Sequence, residues 1–300
     1  MKKIGLSMGG LQAKFGEERA LEICAESGFD SVDIDLSRRK FDVFADSSDD
    51  EIITHFTKIK EKADSLGLAV SQTHGRVTSY TPDEEYCEFV RKAARVDLLA
   101  SSVLGAPTCV IHNITTGRWE DADADFMHAK NKELLDYLVP FAEQFDVNIG
   151  METFGDSHRH GKRVIDFFGD SRELRKQYDM LDTKKKAICM DTGHTNKAFN
   201  VGADDGSAVP DVVESIYMFG KDIKVLHLND NNGFTDQHLP PMIKMQGGVN
   251  WKEVFEALDA VGYDGYYNFE LALSLMGESI EEYVHFLGTH LRNCVDGRHW

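Results

Sequence analysis

The stretch Glu84–Asn113 reads EEYCEFVRKAARVDLLASSVLGAPTCVIHN and contains one complete helix-to-strand unit. Its first part, Glu84–Leu104, places apolar residues at intervals of three and four, which predicts an amphipathic helix. Gly105 then favours the left-handed conformation that ends a helix and turns the chain back. The apolar run that follows, with Cys109-Val110-Ile111 at its centre, predicts a strand buried on both faces.

The same unit recurs along the whole chain. Helical patterns also occupy Glu17–Ser27, Asp50–Leu66 and Ala129–Gln144, and a glycine such as Gly28 or Gly262 precedes several strands. The eight predicted strands are Ile4–Met8, Ser31–Leu36, Ala69–His74, Thr108–Asn113, Asn148–Phe154, Ala187–Thr192, Ile223–Asn229 and Gly265–Leu271.

Eight alternations without a linker or low-complexity tract predict an α/β protein with a single (β/α)8 TIM barrel domain over residues 1–300. An open doubly wound sheet is the alternative, but only Gly9-Gly10 follows the first strand, and this is not a phosphate-binding loop. Two long loops are predicted after the sixth and seventh strands, at Gly193–Asp211 and Asp230–Asn250. Barrels carry function on such loops.

The composition limits the partners of the chain. Its 300 residues carry a formal net charge of −18, which repels nucleic-acid phosphates and anionic lipids, so we expect neither nucleic acid nor membrane as a partner. No apolar run approaches the roughly 18 residues of a membrane span. The five cysteines show no C-x-x-C spacing, which indicates a reducing, cytoplasmic location. Aromatic residues on the predicted loops leave a homo-oligomer open.

Polar residues recur where successive predicted strands end. They are His74, His112, Glu152, Asp191, His227 and Glu270. They follow one another at intervals of roughly 40 residues, one strand–helix unit each, so in a barrel they point into one central cup. A single histidine at a strand end is more often structural than a ligand, but an unpaired carboxylate in an apolar strand is costly.

Three carboxylates in one cup repel one another unless a cation or protons neutralise them. We therefore predict a divalent metal held by Glu152, Asp191, His227 and Glu270. This oxygen-rich ligand set favours Mn²⁺, Mg²⁺ or Co²⁺, with Mn²⁺ as the first choice, and the histidine also allows Zn²⁺.

Five further residues form a predicted outer ring that binds substrate or additional metal. They are His74, His112, His194, Asp236 and His238. His74 and His112 lie on neighbouring strands, and His194 follows Asp191 where the chain turns over the cup. For Asp236 and His238, a pair that grips an ion and a solvated polar loop are equally good interpretations.

These residues resemble the xylose isomerase-like barrels, which include ketose 3-epimerases, related sugar isomerases and endonuclease IV. The resemblance covers nearly the whole chain and rests on five motifs. They are Met151-Glu152, Asp191-Thr192-Gly193-His194, His227-Leu228-Asn229-Asp230, Asp236-Gln237-His238 and Asn268-Phe269-Glu270. In the epimerase branch, the residues that match the four predicted ligands bind one divalent ion, commonly Mn²⁺, and the two glutamates act as an acid/base pair. In the endonuclease branch, the outer ring joins them around three zinc ions.

The chain departs from the epimerase pattern at His158, where a second carboxylate is expected, and at Asn231–Phe234, where an arginine is expected. The resemblance implies a metal-dependent isomerase or epimerase of a small carbohydrate, which transfers a proton beside a carbonyl through an enediolate. Glu152 and Glu270 are the predicted acid and base. The alternative is a multi-zinc hydrolase or lyase of the endonuclease IV type that acts on a small molecule. A non-catalytic sugar-binding barrel is a third interpretation.

Overall fold

Eight parallel strands form the central sheet of the protein. In this computed structural model, which describes residues 2–36, 47–76, 79–119, 121–202, 206–241 and 246–299, ten strands are present among those residues. They are β1 (Ile4–Ser7), β2 (Ser31–Asp35), β3 (Ala69–His74), β4 (Thr108–Ile111), β5 (Asn148–Glu152), β6 (Asp156–Arg159), β7 (Lys162–Ile165), β8 (Lys186–Asp191), β9 (Ile223–His227) and β10 (Tyr267–Phe269). All except β6 and β7 belong to the parallel sheet.

The sheet curls into a barrel. Its strands are hydrogen-bonded in the order β10-β1-β2-β3-β4-β5-β8-β9, so each strand of the sheet lies beside the next one along the chain. The last gap, between β9 and β10, is bridged by the parallel pair Leu228 and Phe269. There Leu228 N donates to Asn268 O at 2.9 Å, and Glu270 N donates to Leu228 O at 3.1 Å.

Helices surround the barrel. The α-helices of the described residues are α1 (Gly9–Glu26), α2 (Asp49–Ser65), α3 (Glu84–Leu104), α4 (Ala124–Phe145), α5 (Ser171–Met180), α6 (Thr192–Val201), α7 (Val212–Phe219), α8 (Trp251–Ala260) and α9 (Ile280–Val295). Their ends follow local chemistry: Ser48 and Glu51 form a capping box at the start of α2, and Gly105, with φ 72°, ends α3 in the left-handed conformation. None of these helices is long and apolar enough to cross a membrane.

The apolar core lies between the sheet and the helices. Strand residues such as Ile188, Met190 and Leu226 are fully buried, and so is Leu138 on the inner face of α4. Each fully buried side chain of this kind stabilises the fold by about 1.5–3 kcal/mol. The five cysteines are all described, all buried and all free.

The predicted barrel and its eight strands are confirmed, with strand ends that differ by a few residues. The loop Asp230–Asn250 is also confirmed in its described part, where the single β-bridge joins Asp230 to Leu239. The prediction of a loop at Gly193–Asp211 is confirmed for Gly202 and residues 206–211, which lie in no helix or strand, but it is wrong for its first half, because Thr192–Val201 forms helix α6. Its glycine, threonine and asparagine residues disfavour a helix, but burial of seven consecutive residues, Thr192–Ala198, overrides this weak preference.

A small hairpin follows β5, at a place where no element was predicted. Strands β6 and β7 pair antiparallel, with Arg159 opposite Lys162. The two residues between them, His160 and Gly161, have φ values of 48° and 71°. Positive φ at both positions is the requirement of the tight turns that best join twisted strands. The hairpin forms a separate two-stranded sheet and contacts helix α6, where Lys197 Nζ lies 2.8 Å from Asp156 Oδ1.

Candidate metal centre

The ends of the parallel strands bring the predicted residues together. His74, Glu152, Asp191 and His227 are the last residues of β3, β5, β8 and β9, respectively. His112 and Glu270 come directly after β4 and β10. Because all these strands run in the same direction, their carboxyl ends meet at one rim of the barrel. The nine predicted side chains form one connected network there, which has three clusters of potential ligand atoms.

The first cluster contains His74, Glu152, His227 and Glu270, whose ligand atoms all lie within 4.8 Å of one another. Its centre is His227, which is fully buried. The Nδ1 atom of His227 lies 2.8 Å from Glu152 Oε1 and 3.4 Å from Glu270 Oε2. Glu270 Oε1 lies 3.7 Å from His74 Nε2. Two carboxylates thus face the same side of one imidazole.

The second cluster contains Glu152, Asp191 and His194, again within 4.8 Å of one another. Asp191 is also the N-cap of α6, since its Oδ1 accepts a hydrogen bond from His194 N at 2.7 Å. Its Oδ2 accepts one from Asn229 Nδ2 at 3.0 Å and lies 3.5 Å from His194 Nδ1. Asp191 therefore lies with His194, whereas His74 completes the cluster around His227.

The third cluster, at the same 4.8 Å limit, contains His194, Asp236 and His238. Asp236 Oδ2 lies 3.5 Å from His194 Nε2 and 3.3 Å from His238 Nε2. The other ring nitrogen of His238 lies 3.7 Å from Glu270 Oε2, which links this cluster back to the first one. The loop after β9 thus places the side chains of Asp236 and His238 over the rim.

His112 and His74 face each other across the rim. Their Nε2 atoms are 3.3 Å apart, and His112 Nε2 lies 3.0 Å from Glu152 Oε2. The Nδ1 atom of His74 lies 2.7 Å from Gly75 O, to which it donates in the matching tautomer. That tautomer leaves Nε2 of His74 with a lone pair directed at His112 and the carboxylates, as a metal ligand requires.

The two glutamates are held ionised by their surroundings. Burial raises the pKa of Glu152, but the imidazoles of His227 and His112 outweigh burial and hold this pKa well below its usual range. The pKa of Glu270 is also lowered, because His227 and His238 outweigh the effect of burial. Both glutamates therefore carry negative charge near neutral pH, as bases and metal ligands must.

The pKa values of Asp191 and of His194 beside it are raised instead of lowered. Burial and repulsion from Glu152 raise the pKa of Asp191 to about 6, although His194 partly offsets this. Burial lowers the pKa of His194, but Asp191 and Asp236 outweigh burial and raise it well above the ordinary value. Ligand histidines must be neutral, so a cation bound here would replace imidazolium protons as the partner of these carboxylates.

The residues fit a divalent cation. Among the described residues, Glu152 Oε2 and Glu270 Oε2 are buried oxygens without a hydrogen-bond partner. The neighbouring imidazoles approach them without the alignment that a hydrogen bond needs. Buried oxygens in this state are costly unless something else satisfies them. Imidazole nitrogen and carboxylate oxygen are the ligands that Mn²⁺, Co²⁺ and Zn²⁺ accept together.

Two charged residues of the site escaped the sequence analysis. Asp33, in the middle of β2, is fully buried, and its Oδ2 lies 3.4 Å from Nε2 of His227, on the side away from the glutamates. Lys197 on α6 is also buried, with Nζ 2.8 Å from Asp156 Oδ1 and 3.4 Å from Asp236 Oδ1. Asp33 could have been recognised from the sequence, because an acid within a buried strand is unusual. Lys197 could not, because its position in the site depends on helix α6, which was not predicted.

Gly193 has a steric role beside Asp191. A Cβ atom at this position would lie 1.8 Å from Oδ1 of Asn229. The asparagine is held there by its hydrogen bond to Asp191, and Thr192 Oγ1 donates to its backbone oxygen at 2.8 Å. The strand-to-helix turn thus has room for glycine alone unless Asn229 moves away from Asp191.

A cavity of about 220 Å³ opens beside the first cluster. Its lining residues are Ser7, Gly9, Gly10, Asp35, His74, His238, Glu270, Leu271, Ala272 and Ser274. Pockets for drug-sized ligands measure about 300–1,000 Å³ and are mostly apolar. This smaller cavity, with its carboxylates, imidazoles and hydroxyls, suits a small polar molecule.

A parallel α/β barrel with a carboxylate–imidazole rim defines a class of protein, and comparison with known proteins identifies the family. The family model described as "Xylose isomerase-like TIM barrel" matches residues 21–286, and the chain belongs to this family. An uncharacterized protein of Methanocaldococcus jannaschii is 31% identical over 140 residues, and this match spans 47% of the chain and 42% of that protein.

Solved structures with the same fold cover the whole chain. The crystal structure of a D-tagatose 3-epimerase-like protein has a TM-score of 0.74 at 20% identity, and the match covers 99% of each chain. The structure of the IOLI protein with a bound zinc atom has a TM-score of 0.70 at 14% identity and covers 100% of this chain and 99% of that one. At these identities the likeness demonstrates the shared fold.

Proposed function

We propose that this protein is a divalent-metal-dependent sugar isomerase or epimerase, which moves a proton at a carbon next to a carbonyl. The observation that carries the proposal is the placement of Glu152 and Glu270, two ionised glutamates that face one buried imidazole at 2.8 and 3.4 Å. The D-tagatose 3-epimerase-like protein of the same fold and the small polar cavity beside Glu270 support a carbohydrate as substrate.

The metal ligands are proposed to be Glu152, Asp191, His227 and Glu270, with His74 beside them. Mn²⁺ is the first choice for this mainly oxygen-donating set, and Zn²⁺ is the main competitor because imidazoles are close at hand. When bound, such a cation stabilises the negative charge that develops on the substrate oxygens.

The protein's own residues would move the proton. One ionised glutamate removes it from the carbon next to the carbonyl, and the other, after taking up a proton from water or from a substrate hydroxyl, delivers that proton to the neighbouring carbon or to the opposite face. Glu152 is fully buried and Glu270 is partly buried at the rim, so little water competes for the proton. His74 and His238 line the same cavity and would orient the substrate hydroxyls through hydrogen bonds.

The net charge of the chain and the state of its cysteines support the proposed kind of partner and the proposed location. A net charge of −18 opposes nucleic-acid and membrane partners, so we propose a free small carbohydrate as the partner. Five free buried cysteines favour the reducing cytoplasm.

Proton exchange with solvent tests this proposal. The protein with Mn²⁺ is incubated with a panel of ketoses and aldoses in D₂O, and deuterium at the carbon next to the carbonyl is measured by NMR. We expect exchange with at least one sugar, its loss in Glu152→Gln and Glu270→Gln, and its retention in the exposed control Glu253→Gln. Full exchange in Glu152→Gln would refute the acid/base assignment.

A second candidate is a multi-metal hydrolase or lyase that acts on a small molecule. The observation that favours it is the sharing of ligands: Glu152 belongs to two clusters, and His194 belongs to two. Such sharing suits carboxylates and imidazoles that surround several cations. In this case the outer ring, including His112, would hold metal instead of sugar.

Metal counting separates the two candidates. Elemental analysis of the purified protein, followed by Mn²⁺ and Zn²⁺ titration after chelation, gives the number of tightly bound ions for each chain. One ion at the rim supports the isomerase, and two or three support the hydrolase or lyase. The variants His112→Ala and His238→Ala should leave the count unchanged in the first case and lower it in the second.

A further inference from the structure

A second group of metal-ligating side chains lies at the C-terminal end of α9, apart from the rim. His290, Cys294 and His299 place one potential ligand atom each within 4.8 Å of the others. They combine two imidazoles with one sulfur, whereas the ligands of the rim clusters are nitrogen and oxygen alone. This difference in chemistry points to a different cation preference.

The helix and its end determine this arrangement. His290 and Cys294 are four residues apart on α9, so they lie on one face of the helix. After α9, Gly297 has φ 72°, Gly297 N donates to Cys294 O at 3.0 Å, and Arg298 N donates to Asn293 O at 2.9 Å. This pair of hydrogen bonds is a Schellman motif, which turns the chain back over the helix.

The turn brings the tail histidine onto the helix. The rings of His299 and His290 have centroids 5.1 Å apart at an interplanar angle of 43°. Arg298 Nη1 donates to Asn293 Oδ1 at 3.2 Å and holds the tail in this position. The third ligand is therefore placed by backbone and side-chain hydrogen bonds that do not involve the ligand side chains of the cluster.

The distance between sulfur and nitrogen fits a tetrahedral ion. Cys294 Sγ lies 3.6 Å from His290 Nε2. A Zn–S bond of about 2.3 Å and a Zn–N bond of about 2.0 Å at the tetrahedral angle require the same two atoms to be about 3.5 Å apart, close to the separation found here. The same nitrogen lies 2.9 Å from the carbonyl oxygen of Pro241, so binding would exchange this hydrogen bond for coordination.

We propose that His290, Cys294 and His299 form a second metal site, which binds Zn²⁺ or another thiolate-binding divalent cation and ties the C-terminal turn to α9. Cys294 is 1% exposed, and His290 and His299 are half-buried, so the site excludes most water yet has an opening for the ion. A borderline-soft cation prefers this sulfur-containing set to the oxygen-rich rim.

The thiolate supplies a signature that the rim cannot give. Co²⁺ serves as the probe for Zn²⁺, because a thiolate bound to Co²⁺ absorbs strongly in the near ultraviolet. Burial raises the pKa of the Cys294 thiol to about 12, so the band will appear only when the metal displaces the thiol proton. Of the five cysteines, all of them described, Cys294 alone belongs to a ligand cluster.

The experiment is a Co²⁺ titration of the untagged, chelator-treated full chain, with Zn²⁺ added at the end as a competitor. We expect a thiolate–cobalt band in the wild type that Zn²⁺ abolishes. Cys294→Ser should lose the band, whereas Cys189→Ala and the rim variant Glu152→Gln should keep it. The milder variant His299→Gln should weaken Co²⁺ binding by about tenfold or more, since even loss of a residue that only supports a ligand costs 10–100-fold.

Two results would overturn the proposal. One is the absence of a thiolate band in the folded wild type at saturating Co²⁺, and the other is a band that survives in Cys294→Ser. Circular dichroism and the melting temperature in EDTA show whether each variant is folded. Because His299 is half-buried in the tail, its variant remains informative if Cys294→Ser does not fold.

Discussion

Asp33 offers a direct test of how the rim site is held together. Its carboxylate lies 3.4 Å from Nε2 of His227, while Nδ1 of the same ring faces Glu152 and Glu270. In metal sites, a carboxylate behind a histidine fixes the ring and makes its other nitrogen a better ligand. Asp33 is itself held by a hydrogen bond from Ser7 Oγ at 2.7 Å. We therefore predict that Asp33→Asn weakens metal binding although Asp33 touches no metal.

The size of the effect follows from the change of Asp33 from a charged to a neutral neighbour of His227, a contact that is at most a weak hydrogen bond because Nε2 of the ring has no aligned partner among the described residues. A bond to a charged acceptor contributes about 1.5–3 kcal/mol and a bond to a neutral one about 0.5–1.5 kcal/mol. The separation of 3.4 Å exceeds the roughly 2.7–2.9 Å of strong charge-assisted bonds, so the lower ends apply. The expected loss is about 1 kcal/mol, which corresponds to a roughly fivefold increase in the Kd for Mn²⁺.

The assay is a Mn²⁺ titration of the chelator-treated protein, with free Mn²⁺ measured by electron paramagnetic resonance. Asp166→Asn is the matched control, because Asp166 is also a fully buried aspartate but lies outside the ligand clusters of the described residues. Melting temperatures in EDTA show whether the apo variants are folded. Wild-type affinity in Asp33→Asn, or an equal loss in Asp166→Asn, would refute the role assigned to Asp33.

Three further changes test the fold around the site. Burial raises the pKa of Asp166 to about 7, so the folded protein keeps a proton that the unfolded chain loses near the ordinary value of 3.8, and this contribution to stability is lost as pH rises from about 4 to about 7. In urea unfolding, the free energy of Asp166→Asn relative to wild type should therefore rise by about 2–3 kcal/mol between pH 5 and pH 8, with most of the change below pH 7, and a pH-independent difference would contradict this. Gly193→Ala should lower the free energy of unfolding by about 1–3 kcal/mol, because the added Cβ would lie 1.8 Å from Asn229. Gly155→Ala is the control and should have a melting temperature close to that of the wild type, because the nearest atom to its Cβ would be 3.5 Å away. Ser48→Ala removes the cap of α2 and should lower the free energy of unfolding by about 1 kcal/mol; an unchanged melting curve would show that the cap does not matter.

The barrel could be predicted because its signals are local and repeated. Continuous apolar runs such as Cys109-Val110-Ile111 recur in every unit and helix-ending glycines such as Gly105 in several of them, so an error in one unit does not change the fold. Glu152 could also be recognised from its local sequence, because a carboxylate inside an apolar strand is costly to bury without a partner. Position at the strand end then placed it at the rim.

The parts that were missed depend on tertiary contacts. Helix α6 has poor intrinsic propensity and is stabilised by its burial and by the cap from Asp191, neither of which is visible in the sequence. The link from Asp33 to His227 depends on the rotation of a ring between two strands. The distribution of Asp191 and His74 between clusters likewise depends on side-chain torsions. Spacing placed these residues at one rim but could not assign their partners.

The two candidate functions require different metal coordination by the Glu152 carboxylate. Its oxygens lie 2.8 Å from His227 Nδ1, 3.0 Å from His112 Nε2 and 3.5 Å from His194 Nδ1. A glutamate that exchanges a proton with substrate must keep one oxygen away from metal, whereas a glutamate that bridges two cations uses both oxygens. A second equivalent of metal near His112 should therefore inhibit an isomerase by occupying the base, but it should activate a multi-metal hydrolase. Activity is therefore measured as a function of the number of metal ions added for each chain, and inhibition or activation by the second ion discriminates between the two candidates. The natural substrate need not be known, because any sugar or ester that is slowly turned over is sufficient to measure this change in activity.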